Sequence, residues 1–171
     1  MTFLNIEPLG PAAFAPFGTV VQTAAAADGA ELVNAGTSQR QEILPALDLH
    51  REGGRAVLAV YQAVAQRLPL QARELERHRL SDQVFLPLGT ALRCVLLVAP
   101  AGSTPDPTRL RAFVSEGRQG VCIRAGTWHH GLISLDAGPW AVLERRALDD
   151  TVDCEVSRLA LGVTLALTGE H

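Results

Sequence analysis

The apolar residues of this chain come in short runs, punctuated by glycine, proline and polar clusters. The runs are 19–22, 56–63, 84–86, 92–99, 111–114, 131–135 and 140–144. β-Branched and aliphatic side chains dominate them, which suits a pleated, half-buried surface. Turn signals at 87–89, 100–102, 115–117, 125–126 and 137–139 separate them. Many short strands at near-regular spacing predict a mainly β fold, an antiparallel sandwich or barrel with few short helices, rather than alternating strands and helices. Residues 11–17 suit one helical turn, and 156–167 fit helix and strand equally. Ala24 to Ala27 form a small biased patch, read as a loop or a helix turn. At 171 residues without internal repeats, one domain over 1–171 is expected, long enough to bury a core unaided.

All 15 basic residues are arginine. Without lysine the chain has no Schiff base, no phosphate-loop amine and no amine general base. A net charge of -3 with scattered arginines argues against nucleic acid as the partner. No run approaches the ~20 apolar residues of a membrane span, so no membrane partner is expected. The N-terminal stretch with Asn5 and Glu7 does not read as a secretory signal. Cys94, Cys122 and Cys154 are too widely spaced for a disulfide framework or a CxxC zinc site. A cytoplasmic protein with reduced thiols is the expectation.

Two segments concentrate chemistry-bearing side chains. In 74–89, Glu76 and His78 lie two apart and share one face of an extended strand. Gln83 lies an odd number further, so it joins that face only if Ser81-Asp82 makes a turn or bulge. In 120–131, a turn at Ala125-Gly126 redirects the chain toward His129 and His130, which face opposite ways if extended. Trp128 then faces away from His129, toward the core or a subunit interface. By the same parity Arg77 points away from Glu76 and His78, as an exterior or interface residue.

The spacing of Glu76, His78, Gln83 and Gly89, then Gly126 and His129, resembles the two cupin motifs. That resemblance implies a cupin-like jelly roll and a possible ligand set of Glu76, His78, Gln83 and His129. No cofactor is implied outright; a divalent metal is the one candidate, and the Gln carbonyl is its weakest ligand.

Longer strings are more specific. Glu-Leu-Glu-Arg-His at 74–78, Gln-Val-Phe-Leu-Pro-Leu at 83–88, Leu-Arg-Ala-Phe-Val at 110–114 and Gly-Thr-Trp-His-His at 126–130 resemble the bacterial ureidoglycolate lyase family. Fainter echoes stand at 14–20 and 153–156. The resemblance implies a homodimeric cupin-like barrel that cleaves ureidoglycolate to glyoxylate and urea, in the breakdown of allantoin. The chain departs from the family at Cys122-Ile123-Arg124, at Gly131 where proline is usual, and at Gln41-Glu42-Ile43-Leu44. These departures leave an alternative: a non-catalytic or divergent cupin that binds a small carboxylate. A metal-dependent isomerase or dioxygenase is a third reading, and Gln83 argues against it.

Ureidoglycolate is a hemiaminal, so its lysis needs a base for the hydroxyl, an acid for the departing nitrogen and a cation for the carboxylate. Glu76 or His78 is the candidate base and His129 the candidate acid. Without lysine, arginine must hold the carboxylate, or else a metal or backbone N–H groups. Arg40, Arg77 and Arg124 are the candidates, with Gln83 and His130 as further substrate-binding residues. Trp140 and Glu144 share one strand face, and Glu144 reads as either an interior polar group or a solvated one. His50 and His171 read as surface residues, and Asp106 as a loop residue without chemistry.

Overall fold

The computed structural model describes residues 2–23, 30–44, 46–89, 91–149 and 153–167. Its strands are β1 (Thr2–Pro8), β2 (Gly18–Val21), β3 (Glu31–Val33), β4 (Ser38–Arg40), β5 (Arg55–Ala63), β6 (Leu70–Arg77) and β7 (Gln83–Pro87). They continue with β8 (Cys94–Ala99), β9 (Arg111–Val114), β10 (Gly120–Ile123), β11 (Trp128–His129), β12 (Ile133–Ser134), β13 (Gly138–Arg146) and β14 (Glu155–Ala166). Among the described residues, helical structure is confined to α1 (Pro11–Phe14) and short 3-10 turns, one of them capped by Asp106, whose Oδ1 accepts from the Thr108 N–H. His50 is exposed, as expected. Ala24 to Ala27 and His171 lie outside the described residues.

One sheet runs β11–β6–β14–β1–β9–β8, and β8 pairs again with β11, so six strands close into a barrel. β1 lies parallel to both its neighbours; the other pairings of the barrel are antiparallel. A second, antiparallel sheet, ordered β2–β10–β7–β13–β5, packs against it. The β3–β4 hairpin stands apart from both sheets.

Period-two alternation sorts the core into two compartments. On β8, Val95, Leu97 and Ala99 fill the barrel with Ala72, Leu75, Ala112, Trp128, Val163 and Leu165. Cys94, Leu96 and Val98, on its other face, meet Phe85, Val121, Ile123, Trp140 and Val142 of the second sheet. All six residues of β8 are therefore buried. Each fully buried Leu or Val contributes roughly 1.5–3 kcal/mol. The Trp140 indole N–H donates to Ser134 Oγ at 3.1 Å, so its burial strands no polar group.

The ambiguous segment 156–167 is strand as far as residue 166, where β14 ends. Its pairing with β6 shifts register between Arg158 and Val163, which breaks the alternation that would have marked it. β1 carried no expectation. Its outward Phe3 is exposed while Ile6 is buried, so an apolar residue stands on the solvent face.

Candidate active site

The site forms where the end of β6 and the short β11 face the second sheet. His129 is the cross-strand neighbour of Glu76. Trp128 turns into the barrel interior, so His129 turns out of it, as alternation requires. Leu75 likewise points into the barrel, and Glu76 points out. Arg77 stacks over Trp128 at 4.4 Å and pairs with Glu155, on the face away from the site, as expected. Gly126 makes the turn before β11 with φ +82°, and its N–H donates to His78 O at 2.7 Å.

Gln83 reaches the same space by a different route from the one expected. β6 ends at Arg77, the chain bends at residues 79–80, and β7 begins at Gln83 in the opposite sheet. The two strands face each other across the site, so the odd spacing needs no bulge. Asp82 holds the crossing by accepting the Ala125 N–H at 2.8 Å.

The two histidines are oriented alike. The His78 Nδ1–H donates to Asp153 O at 2.8 Å, and the His129 Nδ1–H donates to Thr127 O at 3.0 Å. Both Nε2 atoms are then acceptors in the neutral ring, and neither has a hydrogen-bond partner among the described residues. Gln83 donates its Nε2–H to Glu144 Oε2 at 2.9 Å, and its buried Oε1 is also unpartnered. Glu76 Oε1 lies 3.6 Å from His129 Nε2. Cys154 Sγ donates to Glu76 Oε2 at 3.6 Å. Buried polar atoms are normally satisfied, so three unpaired acceptors mark a place built for a ligand.

Burial holds His129 down at about 4, so near neutrality its ring is uncharged. With its one N–H committed to Thr127 O, it has no proton for a leaving group. This runs against the expectation of His129 as the acid and leaves it as an acceptor.

The surrounding cavity of about 170 Å³ is lined by Glu76, His78, Gln83, Tyr61, Glu144 and Arg146, among others. Glu144 is the interior polar group, not a solvated one. It accepts from the Tyr61 hydroxyl at 3.4 Å and from Arg146 Nε at 3.2 Å, besides Gln83. Burial, then the nearby Glu144 charge, raises the Tyr61 phenol above its usual range. Tyr61, Arg146 and Asp153 escaped the sequence reading. The only signal for Glu144 and Arg146 was their strand parity, and Tyr61 sits in an apolar run.

Two arginines expected at the site are elsewhere. Arg40 is exposed on β4 and pairs with Glu31 and Glu42. Arg124 is spent on the carbonyls of Ala15 and Pro16, at 3.0 and 3.2 Å. His130 sits beside a neighbouring cavity of about 160 Å³, which Glu76 also lines. Of the three departures, Cys122 and Ile123 are buried in β10, outside the lining of the site. Residues 41–44 do not line it either. Gly131 does lie close, where an added Cβ would stand 3.7 Å from Glu76 Oε1.

The donor set fits the divalent metal that cupin-like spacing implies. Ligand atoms of Glu76, His78 and His129 lie within 4.8 Å of one another. Two imidazole Nε2 atoms and a carboxylate suit a first-row divalent ion, and the Gln83 carbonyl could add a fourth, weaker oxygen. Such an ion would polarise a ligand oxygen.

The family model for ureidoglycolate lyase matches residues 1–166. A ureidoglycolate lyase of Azotobacter vinelandii (strain DJ) is 38% identical over 157 residues, covering 90% of this chain and 91% of the relative. One from Burkholderia mallei (strain NCTC 10229) is 42% identical over 148 residues, 85% and 84% of the two chains. One from Pseudomonas aeruginosa (strain UCBPP-PA14) is 38% identical over 139 residues, 80% and 79%. Motif strings, barrel and whole-length similarity agree, and the chain belongs to the ureidoglycolate lyase family.

Proposed function

We propose that this chain is a ureidoglycolate lyase, acting as a single domain over 1–171, and that its reaction takes place in the cavity around Glu76, His78, Gln83 and His129. The observation that carries this reading is the close set of Glu76, His78 and His129, whose Nε2 atoms are buried without a partner among the described residues, with Gln83 lining the same cavity as Glu76 and His78. Family membership supplies the substrate.

The reaction needs no water. Glu76 takes the hydroxyl proton, the C–N bond breaks with its electron pair on nitrogen, and the C–O bond becomes the aldehyde of glyoxylate. Hydroxyl and ureido nitrogen sit on one carbon, so the carboxyl that accepted the proton is within reach of the departing nitrogen and returns it there, releasing urea. One group then serves as base and acid, which suits a site whose His129 stays neutral. His78 and His129 hold what lies at their Nε2 atoms. Arg146, half exposed at the wall, supplies positive charge on the carboxylate side. His130 serves from the adjoining cavity.

The finer reading is a cytoplasmic homodimer working in allantoin breakdown. Three free cysteines support the reducing compartment. β5 supports self-association: it is a long edge strand with Leu58 70% and Val60 63% exposed. Light scattering behind size exclusion tests the dimer; a monomer at micromolar concentration refutes it. For the activity, purified protein is mixed with ureidoglycolate and glyoxylate is followed by coupled NADH oxidation, before and after chelation. Glyoxylate above the spontaneous rate is the expected result. Its absence, with and without added divalent metal, refutes the lyase reading.

A further inference from the structure

Glu144 carries no assigned role, yet it is a buried carboxylate beside Gln83 in the wall of the same cavity, and three side chains donate to it. As a carboxylate it only accepts, so the end of Gln83 that faces it must be the NH2. An amide oxygen there would set two acceptors against each other. Glu144 thereby removes the ambiguity of the Gln83 side chain and leaves its Oε1 as the free acceptor of a residue that lines the cavity. Gln83 is 4% exposed, and that Oε1 has no partner. Tyr61 and Arg146 fix Glu144 in turn, one oxygen each.

We propose that Glu144 is a positioning residue that makes Gln83 Oε1 a reader of substrate N–H, so that the cavity selects a ureido group over a bare carboxylate. The inference rests on the lyase reading and names the group that confers specificity within it. The physical reason is asymmetric. A buried acceptor that meets a donor gains a hydrogen bond, while a ligand lacking the donor leaves it stranded.

The test uses two stable probes with the full chain. Oxalurate carries a carboxylate and the ureido N–H groups; oxalate carries carboxylates alone. Their dissociation constants are measured by calorimetry for wild type, Gln83→Met and Glu144→Gln, the last of which lets the Gln83 amide turn over. The expected result is a wild type that prefers oxalurate over oxalate. Both variants should lose that preference by about tenfold, chiefly by weakening oxalurate, with oxalate held within about twofold. Tenfold corresponds to about 1.4 kcal/mol. A merely structural role would weaken both probes alike, and that result overturns the proposal. So does a wild type that binds oxalurate no better than oxalate, a comparison that needs no variant to fold. Turnover of ureidoglycolate by wild type is scored separately: its absence refutes the lyase reading, whereas turnover with unchanged probe preference in the variants refutes this inference alone.

Discussion

Replacing Asp153 by alanine should destabilise the protein by about 3 kcal/mol. Asp153 Oδ1 accepts from the Arg145 guanidinium, whose side chain is 1% exposed. Its Oδ2 accepts the Ala147 N–H. Removing the carboxylate leaves a buried cation without its anion, a change that costs about 3–5 kcal/mol. The lower end applies here, because Arg145 keeps the carbonyls of Arg51 at 2.8 Å and Glu52 at 3.4 Å. For a chain of 171 residues, that is a fall of about 6–12 °C in Tm. Guanidinium chloride denaturation is the assay, with urea avoided because it is a product of the proposed reaction. The midpoint should drop with an unchanged slope. The pair can be tested as a pair. The double variant Arg145→Met/Asp153→Leu should recover stability to within about 2 kcal/mol of wild type, because no buried charge remains. A loss below about 1 kcal/mol for Asp153→Ala, or a double variant worse than either single one, refutes the reasoning. The consequence extends to the site, because Asp153 O receives the His78 Nδ1–H.

Three further expectations concern titration, thiols and packing. His129 titrates at about 4 when folded and at 6.5 when exposed, so between those values the unfolded chain binds more protons and stability rises with pH. The gain is complete above 6.5 and its full absence below 4 amounts to about 3 kcal/mol. Denaturation midpoints from pH 4 to 8 in chelator, compared with His129→Gln, isolate it; parallel curves contradict it. Burial raises Cys94 to about 11 and Cys122 to about 12, so neither should react with a thiol reagent at pH 8 until the chain is unfolded. Rapid native labelling at either position would count against the two-compartment core. At Gly18 an added Cβ would stand 1.9 Å from Cys122 O, so Gly18→Ala must push β2 off β10, costing about 1–3 kcal/mol by overpacking. An unchanged Tm would contradict that register.

Strands with plain alternation or continuous apolar runs were legible in the chain itself. The expected run 111–114 coincides with β9, and 56–63 falls one residue short of β5. β14 was ambiguous because a bulge disrupts its period, and β1 went unseen because Phe3 is apolar on the solvent face. At the site, Glu76, His78 and His129 could be read from parity within one strand and from a glycine turn. Gln83 lines one cavity with Glu76 and His78 through a sheet crossing, where a turn or bulge was expected. Tyr61, Glu144 and Arg146 come from β5 and β13, and no local pattern encodes the register of β5 on β13 or of β13 on β7. Arg124 was misjudged because its partners, the carbonyls of Ala15 and Pro16, are remote in sequence.

The proposed role of Glu76 is to move the proton that splits ureidoglycolate, and Glu76→Gln tests that role. The variant keeps the volume of the side chain and removes its capacity to carry a proton. Glyoxylate formation by Glu76→Gln should fall about 10²–10⁴-fold below wild type with the melting curve preserved. A folded variant that turns over ureidoglycolate at the wild-type rate would contradict the account.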